Sequence, residues 1–355
     1  MNHFTKHKLS MYRPKQVILL LGLSLALPLG LSAGLRPKVS PSPLGKDSSA
    51  YRQALSYHLD RPARSMMEEL PLGNGRLGML SDGGVQRQRI TLNESSMWSG
   101  SIDSTALNPE AAKHLPEIRQ LLFAGKAKEA EALMYRTFVC GGKGSGHGSG
   151  AKTPYGSYEV GGFLQLDWTR APQLSAYRRS LDLQEGISTE RLEVAGSPYR
   201  LKTLYSSMTQ DVQVLHIENL SPEAKSDTLR LTLSRPECGQ TAVMGGMLTM
   251  SGALSDGKGG QGLRYAILAR PVLPEGGQLI TEGQELLIVG APVVTIYLAH
   301  NTNYYDPRLP LLARGVEQLV AAERLGEAQL RRAQQQAFGE RMGRVQIALK
   351  GSDET

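Results

Sequence analysis

From about Arg76 onward, apolar and polar residues alternate in short runs separated by Gly, Pro, Asp, Asn and Ser. The runs Arg89–Glu94, Phe163–Trp168, Tyr199–Ser207, Asp211–Asn219 and Asp227–Ser234 all keep a period of two. That period predicts strands with one buried and one wet face, the pattern of antiparallel sheets stacked on each other. Gly262–Val272, Glu285–Gly290 and Pro292–His300 add further strands. Many strands with few helices between them predict a mainly β chain, a large antiparallel β-sandwich or super-sandwich, rather than a βαβ wind. Two helical stretches interrupt it. Asn108-Pro109-Glu110 reads as N-cap, first helical position and first-turn acid, and Ala112, Leu115, Ile118 and Leu122 follow at helical spacing up to Gly125, with a second helix from Ala127. The tail, Leu309–Val345, is rich in Ala, Leu, Glu, Gln and Arg and predicts about two more helices.

With 355 residues, 40% of them hydrophobic and 21% charged, the chain has the make-up of an ordinary globular protein. Its net charge of +7 invites a polyanionic partner until the charges are located. Lys6, Lys8, Arg13 and Lys15 stand in the first 33 residues, which contain no acid, and without them the charge is +3. Nucleic acid is therefore not an expected partner. The same segment has a basic start, an apolar stretch from Val17 to about Leu31 and small residues at Ser32, Ala33 and Gly34, the order of an export signal. The apolar run is shorter than the ~20 residues of a spanning helix and contains Pro28, so cleavage near Ala33 is expected, with no membrane attachment afterwards. Residues 34–50, rich in Pro and Ser, read as a flexible leader.

Cysteine and histidine add little. Cys140 and Cys238 are the two cysteines, and export would permit a bond between them without requiring it. The seven histidines are scattered without metal-ligand spacing, so neither metal nor cofactor is expected. The Gly-rich stretch Cys140–Tyr158 looks like a phosphate loop, but Ala151 separates Gly150 from Lys152, so it reads as a long loop. Gly73, Gly75 and Gly78 spell a dinucleotide fingerprint. That fingerprint needs a central strand before it and a helix after it. Here Pro71 precedes, and the Met79–Gly84 segment turns again before a helix could form.

Glu69–Pro109 carries a more specific signal: Leu70-Pro71, Gly73-Asn74-Gly75-Arg76-Leu77-Gly78, Gly83-Gly84, Leu92-Asn93-Glu94 and Trp98-Ser99-Gly100. This series resembles the N-terminal signature of glycoside hydrolase family 95, the α-L-fucosidase and α-L-galactosidase family. Leu115–Leu133, Tyr177–Ile187 and Tyr199–Ile217 are similar to later segments of the same family, and the tail from Asn301 resembles its helical linker. The chain departs from the family at Met66, where Trp is usual, at Met79–Asp82 and at Val160–Leu164. The resemblance implies a sandwich over residues 51–300 and a helical linker over 301–355. It places the catalytic acid and base in a following (α/α)6 barrel that lies beyond this chain.

Hydrolysis of a glycosidic bond by inversion needs two carboxyl groups about 6.5–9.5 Å apart across the sugar. Asp182, Glu185, Glu190, Glu193, Asp211 and Glu218 lie on or beside alternating strands, where a solvated outer face is the plain reading. Asn93 and Glu94 are followed by Trp98, a ring on which a sugar could stack. A buried pair pinning a turn is the favoured role for Asn93 and Glu94, with a sugar contact as the other. No catalytic residue is assigned. Asn74, Arg76, Asn93, Glu94 and Trp98 are the candidate contacts with a glycan or with a partner domain.

Two function classes follow. One is the sandwich and linker of an exported fucosidase-like hydrolase, cut before its barrel and inactive alone, meeting its glycan through a missing or separately encoded barrel. The other is a non-catalytic sandwich that binds glycan or stabilises a partner, with Trp98 and nearby tyrosines as its stacking surface. In either case Leu311, Leu312, Val316, Leu319 and Val320 are expected to form an apolar stripe without a partner.

Overall fold

The computed structural model describes residues 55–102, 107–139, 154–235 and 239–345. The stretches read from the sequence as an export signal and a leader, together with Cys140, Cys238 and most of the Gly-rich stretch, lie outside these residues. The described chain begins with β1 (Ser56–Leu59), β2 (Leu70–Gly73), β3 (Leu77–Ser81) and β4 (Arg87–Glu94). A helical hairpin follows, α1 (Leu115–Phe123) and α2 (Ala127–Thr137). Next come β5 (Gly162–Trp168), β6 (Ala176–Asp182), β7 (Ile187–Val194), β8 (Ser197–Ser206), β9 (Gln213–Asn219) and the single turn α3 (Pro222–Lys225). β10 (Thr228–Ser234), β11 (Gln240–Met244), β12 (Met247–Ser255), β13 (Gln261–Val272), β14 (Gln278–Glu282), β15 (Glu285–Val289) and β16 (Val293–Thr302) complete the strands. The last helices are α4 (Leu311–Leu325) and α5 (Glu327–Met342).

The strands form two antiparallel sheets. The nine-stranded sheet runs β1-β6-β7-β8-β9-β16-β13-β12-β11, and the seven-stranded sheet runs β14-β15-β10-β5-β4-β3-β2. Leu164, Leu166 and Leu231 of the smaller sheet share one buried core with Leu215, Ile217, Ile267 and Ile296 of the larger. This is the expected sandwich.

The GxGxxG stretch folds as a hairpin: β2 and β3 pair antiparallel with Gly73 opposite Gly78, and Gly75 takes a positive φ of 94° in the turn. β2 is an edge strand, which is where the missing N–H of Pro71 is tolerated. A strand pair offers no helix N-terminus to a pyrophosphate.

Three expectations change. First, the helix from Asn108 does not form as one piece: a turn and a 3-10 segment, Ala111–His114, come before α1. Pro116 has no N–H for the carbonyl of residue 112, so regular α-helix starts at Leu115 with Pro116 in its first turn. Of the predicted stripe Ile118 is buried, against Ala130 and Leu133 of α2.

Second, the larger sheet is covered on both faces. Ile267, Ile296 and Leu298 point into the sandwich, while their neighbours Ala266, Leu268, Tyr297 and Ala299 form a second core with Leu319, Ala322 and Leu330 of α4 and α5. The tail helices therefore have a partner. Leu319 is buried, Leu311 and Val316 pack against the same cluster, and Leu312 is the member of the stripe that stays exposed. Gly315 allows this fit, since a Cβ there would sit 2.5 Å from Leu268. Polar contacts add to it: Arg270 pairs with Glu323 at 2.7 Å, Asn301 Nδ2 donates to Gln318 at 2.7 Å, and the buried Gln334 accepts from the Met208 N–H at 2.9 Å.

Third, Glu190 is not solvated. It projects between the sheets, opposite Lys202 on β8. Its carboxylate meets Lys202 Nζ at 2.7 Å and accepts from Ser81 Oγ at 2.7 Å and Gln88 Nε2 at 2.9 Å. Lys202 also donates to Gln88 Oε1 at 2.6 Å and to the Gly84 carbonyl at 2.9 Å, and lies 5.0 Å from the centre of the Trp168 ring. Alternation identifies the residues that share a face, but it cannot say that an inward face is apolar. The Gly83-Gly84 pair closes this end of the sandwich, where a Cβ on Gly84 would lie 1.8 Å from the Arg87 carbonyl oxygen.

Candidate functional site

At the other end of β3, the candidate residues form a polar brace. Asn74 Oδ1 accepts from the N–H groups of Arg76 (3.0 Å) and Leu77 (2.8 Å), which holds the β2–β3 turn. Its Nδ2 donates to the Ser207 carbonyl at 2.8 Å and so ties the hairpin to the larger sheet. Arg76 then spans three elements: it reaches Glu94 at 3.3 Å, the His300 carbonyl at 3.0 Å and Asp211 at 3.2 Å. Glu94 is buried, and its second oxygen accepts from the Ser96 N–H at 2.7 Å and the Ser96 hydroxyl at 2.5 Å. Asn93 is not part of this brace. It faces the opposite side of β4, where its Oδ1 is buried without a hydrogen-bond partner among the described residues. Glu94 thus pins a turn, and its intended companion in that role is replaced by Arg76.

His300 sits behind the brace. Burial first, then the charges of Arg76 and Arg235, hold its imidazole down at about 3. Tyr265 lies edge-on to it at 6.5 Å between ring centroids. In an unfolded chain the ring would take a proton near pH 6.5, so below that pH the unfolded state binds the extra proton and stability falls as the pH drops. His216, also held below its ordinary value by burial, acts with the same sign. Urea unfolding between about pH 6.5 and pH 5 is expected to show stability declining by up to ~1.4 kcal/mol per pH unit for His300, and His300→Leu to flatten the slope. A wild-type stability that stays level over this interval would show that the ring is hydrated.

Beside the brace opens a cleft of about 640 Å³. Ser96 belongs to both, since its Oγ contacts Glu94 and lies 2.5 Å from Thr302 Oγ1 while lining the cleft. Trp98 forms one wall with Tyr155, and Tyr304 and Tyr305, just past β16, form another. Trp98 and Tyr158 lie with ring centroids 6.2 Å apart, and Tyr304 and Tyr305 meet edge to face at 4.8 Å. The Trp98 loop is fixed by backbone bonds from Ser99 to Ser157 (2.9 Å), from Ser101 to Pro154 (2.9 Å) and from Gly100 to Ser255 (2.7 Å). Gly100 has a φ of 93°, and a Cβ there would lie 2.5 Å from the Pro154 carbonyl oxygen. Glycine at position 100 is therefore a requirement of this loop.

Sequence reasoning picked out Trp98 but not its partners by number. The Tyr304-Tyr305 doublet next to a strand end was the available signal. Asp211, a solvated carboxylate in the sequence reading, is exposed and also serves as the outer partner of Arg76. Among the described residues, no cluster of three or more His, Cys, Asp or Glu side chains is arranged to hold a metal.

Fold and site together define a β-sandwich domain with a helical layer on its larger sheet and an aromatic cleft at one end. Residues 58–307 match the family model described as glycosyl hydrolase family 65, N-terminal domain, and the chain belongs to this family. Alpha-L-fucosidase 2 of Arabidopsis thaliana is 22% identical over 315 residues, covering 82% of this chain and 35% of that protein. Probable alpha-fucosidase A of Aspergillus niger is 29% identical over 157 residues, covering 42% of this chain and 18% of its own length. A putative kojibiose phosphorylase from the human microbiome, a solved structure, aligns over 81% of this chain and 35% of its own with 12% identity and a TM-score of 0.46. The chain thus spans about a third or less of the length of the curated relatives it matches.

Proposed function

We propose that this chain is the sandwich and helical layer of an exported α-L-fucosidase-like glycoside hydrolase, closer to family 95 than the broader family match specifies, that acts on fucosylated or galactosylated glycans. Its acid and base would come from a helical-hairpin barrel outside these residues. The observation that carries this reading is the likeness to Alpha-L-fucosidase 2 along 82% of the chain, together with the family-95-like series from Leu70 to Gly100. The geometry of Glu94 supports it. The carboxylate beside the cleft is occupied by Arg76 and Ser96, so its task is to hold the loop rather than to transfer a proton.

An aryl α-L-fucoside assay tests the proposal. The purified chain is expected to give no turnover, and the chain co-expressed with a fucosidase-type barrel is expected to give turnover that the barrel alone gives poorly. Ordinary enzymatic turnover by the pure chain, abolished in Glu94→Gln, would overturn the assignment of chemistry to a barrel. A barrel whose fucosidase activity is indifferent to this chain would overturn the partnership.

A further inference from the structure

We propose that the cleft between the Trp98 loop and the Tyr304-Tyr305 doublet binds an uncharged oligosaccharide. The inference goes beyond the fucosidase-like reading, because a sandwich with no barrel would have the same cleft.

Three observations carry it. The first is ring exposure: Trp98 and Tyr155 are each 48% exposed, Tyr304 59% and Tyr305 87%, so four aromatic side chains converge on one opening while still facing solvent. A pyranose presents a face of C–H groups, and flat rings are the surface on which such a face packs. The second is the absence of charge. Ser95, Ser96, Ser99, Ser101 and Asn303 supply hydroxyl and amide groups, and among the described residues none that lines the cleft carries a charged side chain. Neutral donors and acceptors among aromatic walls suit sugar hydroxyls and give an anionic ligand no counter-charge. A neighbouring cleft of about 570 Å³ on the other side of the brace has the opposite character, with Arg76, Asp211, Arg314 and Glu317 in its wall. The third is rigidity. Ser96 is locked between Glu94 and Thr302, the Trp98 loop is bonded to Pro154 and Ser157, and Asn303 is held by Arg264, whose N–H it accepts at 2.8 Å. A wall already in place costs little ordering on binding. At about 640 Å³, the space falls within the range of small-ligand sites.

The test uses the full chain and two uncharged probes, 2′-fucosyllactose and maltotriose, against 3′-sialyllactose, which adds a carboxylate at similar size. The chain has two tryptophans, and Trp168 is buried, so a ligand-induced fluorescence change reports on Trp98. At least one neutral probe is expected to give a saturable change with Kd on the order of 1 mM, and 3′-sialyllactose to bind about tenfold more weakly. The double substitution Tyr304→Ala with Tyr305→Ala is expected to weaken binding about tenfold while leaving the urea midpoint unchanged. Trp98→Ala, read by ligand-observed NMR, is expected to do the same. A flat titration with both neutral probes would overturn the proposal, as would equal binding of 3′-sialyllactose or undiminished binding by the tyrosine variant. If maltotriose binds and 2′-fucosyllactose does not, the cleft stands as a sugar site and the fucosyl specificity falls. If neither binds, the barrel partnership is still judged separately by turnover.

Discussion

Lys202→Met is expected to destabilise the domain by about 3–5 kcal/mol, measured as a fall in the free energy of urea unfolding, because it strands the buried carboxylate of Glu190 without its cation. The pair lies between the sheets with both side chains almost wholly out of solvent. Burial pulls the Lys202 ammonium below its ordinary value, and Glu190 opposes that shift. Methionine fills similar volume but withdraws the cation and the bonds to Gln88 and Gly84, leaving those acceptors unmatched as well. The double variant Glu190→Leu with Lys202→Met is expected to recover part of the loss, since two apolar residues tolerate this interior better than one orphaned charge. A cost below about 1 kcal/mol in the single variant would mean that water reaches the pair.

That Glu190 reads as a solvated carboxylate in the sequence shows what alternation encodes. On β5, β9 and β10 each apolar position but Phe163 faces a core, and the strand limits fall within two residues of those expected. β14 was not legible because all five of its residues are exposed and no face is marked by burial. β2 and β3 were not legible because Pro71, Gly73 and Gly78 weaken any strand signal, and it is the ladder to β4 that makes them strands. Glu190 and Lys202 sit on inward positions of β7 and β8, and nothing in a single sequence couples residues 12 apart to Ser81 and Gln88 on the opposite sheet. The candidate site divides in the same way. Asn74, Arg76, Glu94 and Trp98 were visible as a dense local series, whereas Asp211, His300, Tyr304 and Tyr305 reach it through tertiary contacts across the sandwich.

The tail helices give the second large expectation. Leu319→Ala is expected to cost about 2–5 kcal/mol, the range for removing a large aliphatic side chain from a closed core. Leu319 is fully buried against the outer face of the larger sheet, in the cluster that contains Tyr205, Val214, Leu268 and Tyr297. The central strand β16 is buried on both faces from Val294 onward, so without α4 this sheet would expose alternate side chains of β9, β13 and β16. The location of the loss is as informative as its size. If α4 and α5 are one cooperative unit with the sandwich, the variant lowers the urea midpoint of the whole domain, and amide exchange rises in β13 and β16 as well as in the helices. If they are an independent linker, exchange rises in the helices alone and the midpoint of the strands stays where it was. The contacts of Gly315 with Leu268, Arg270 with Glu323 and Gln334 with the Met208 N–H favour the first outcome, because each joins helix to sheet or to a sheet loop rather than helix to helix. Helices α4 and α5 then count as part of the domain, and the outer face of the larger sheet is already occupied by them.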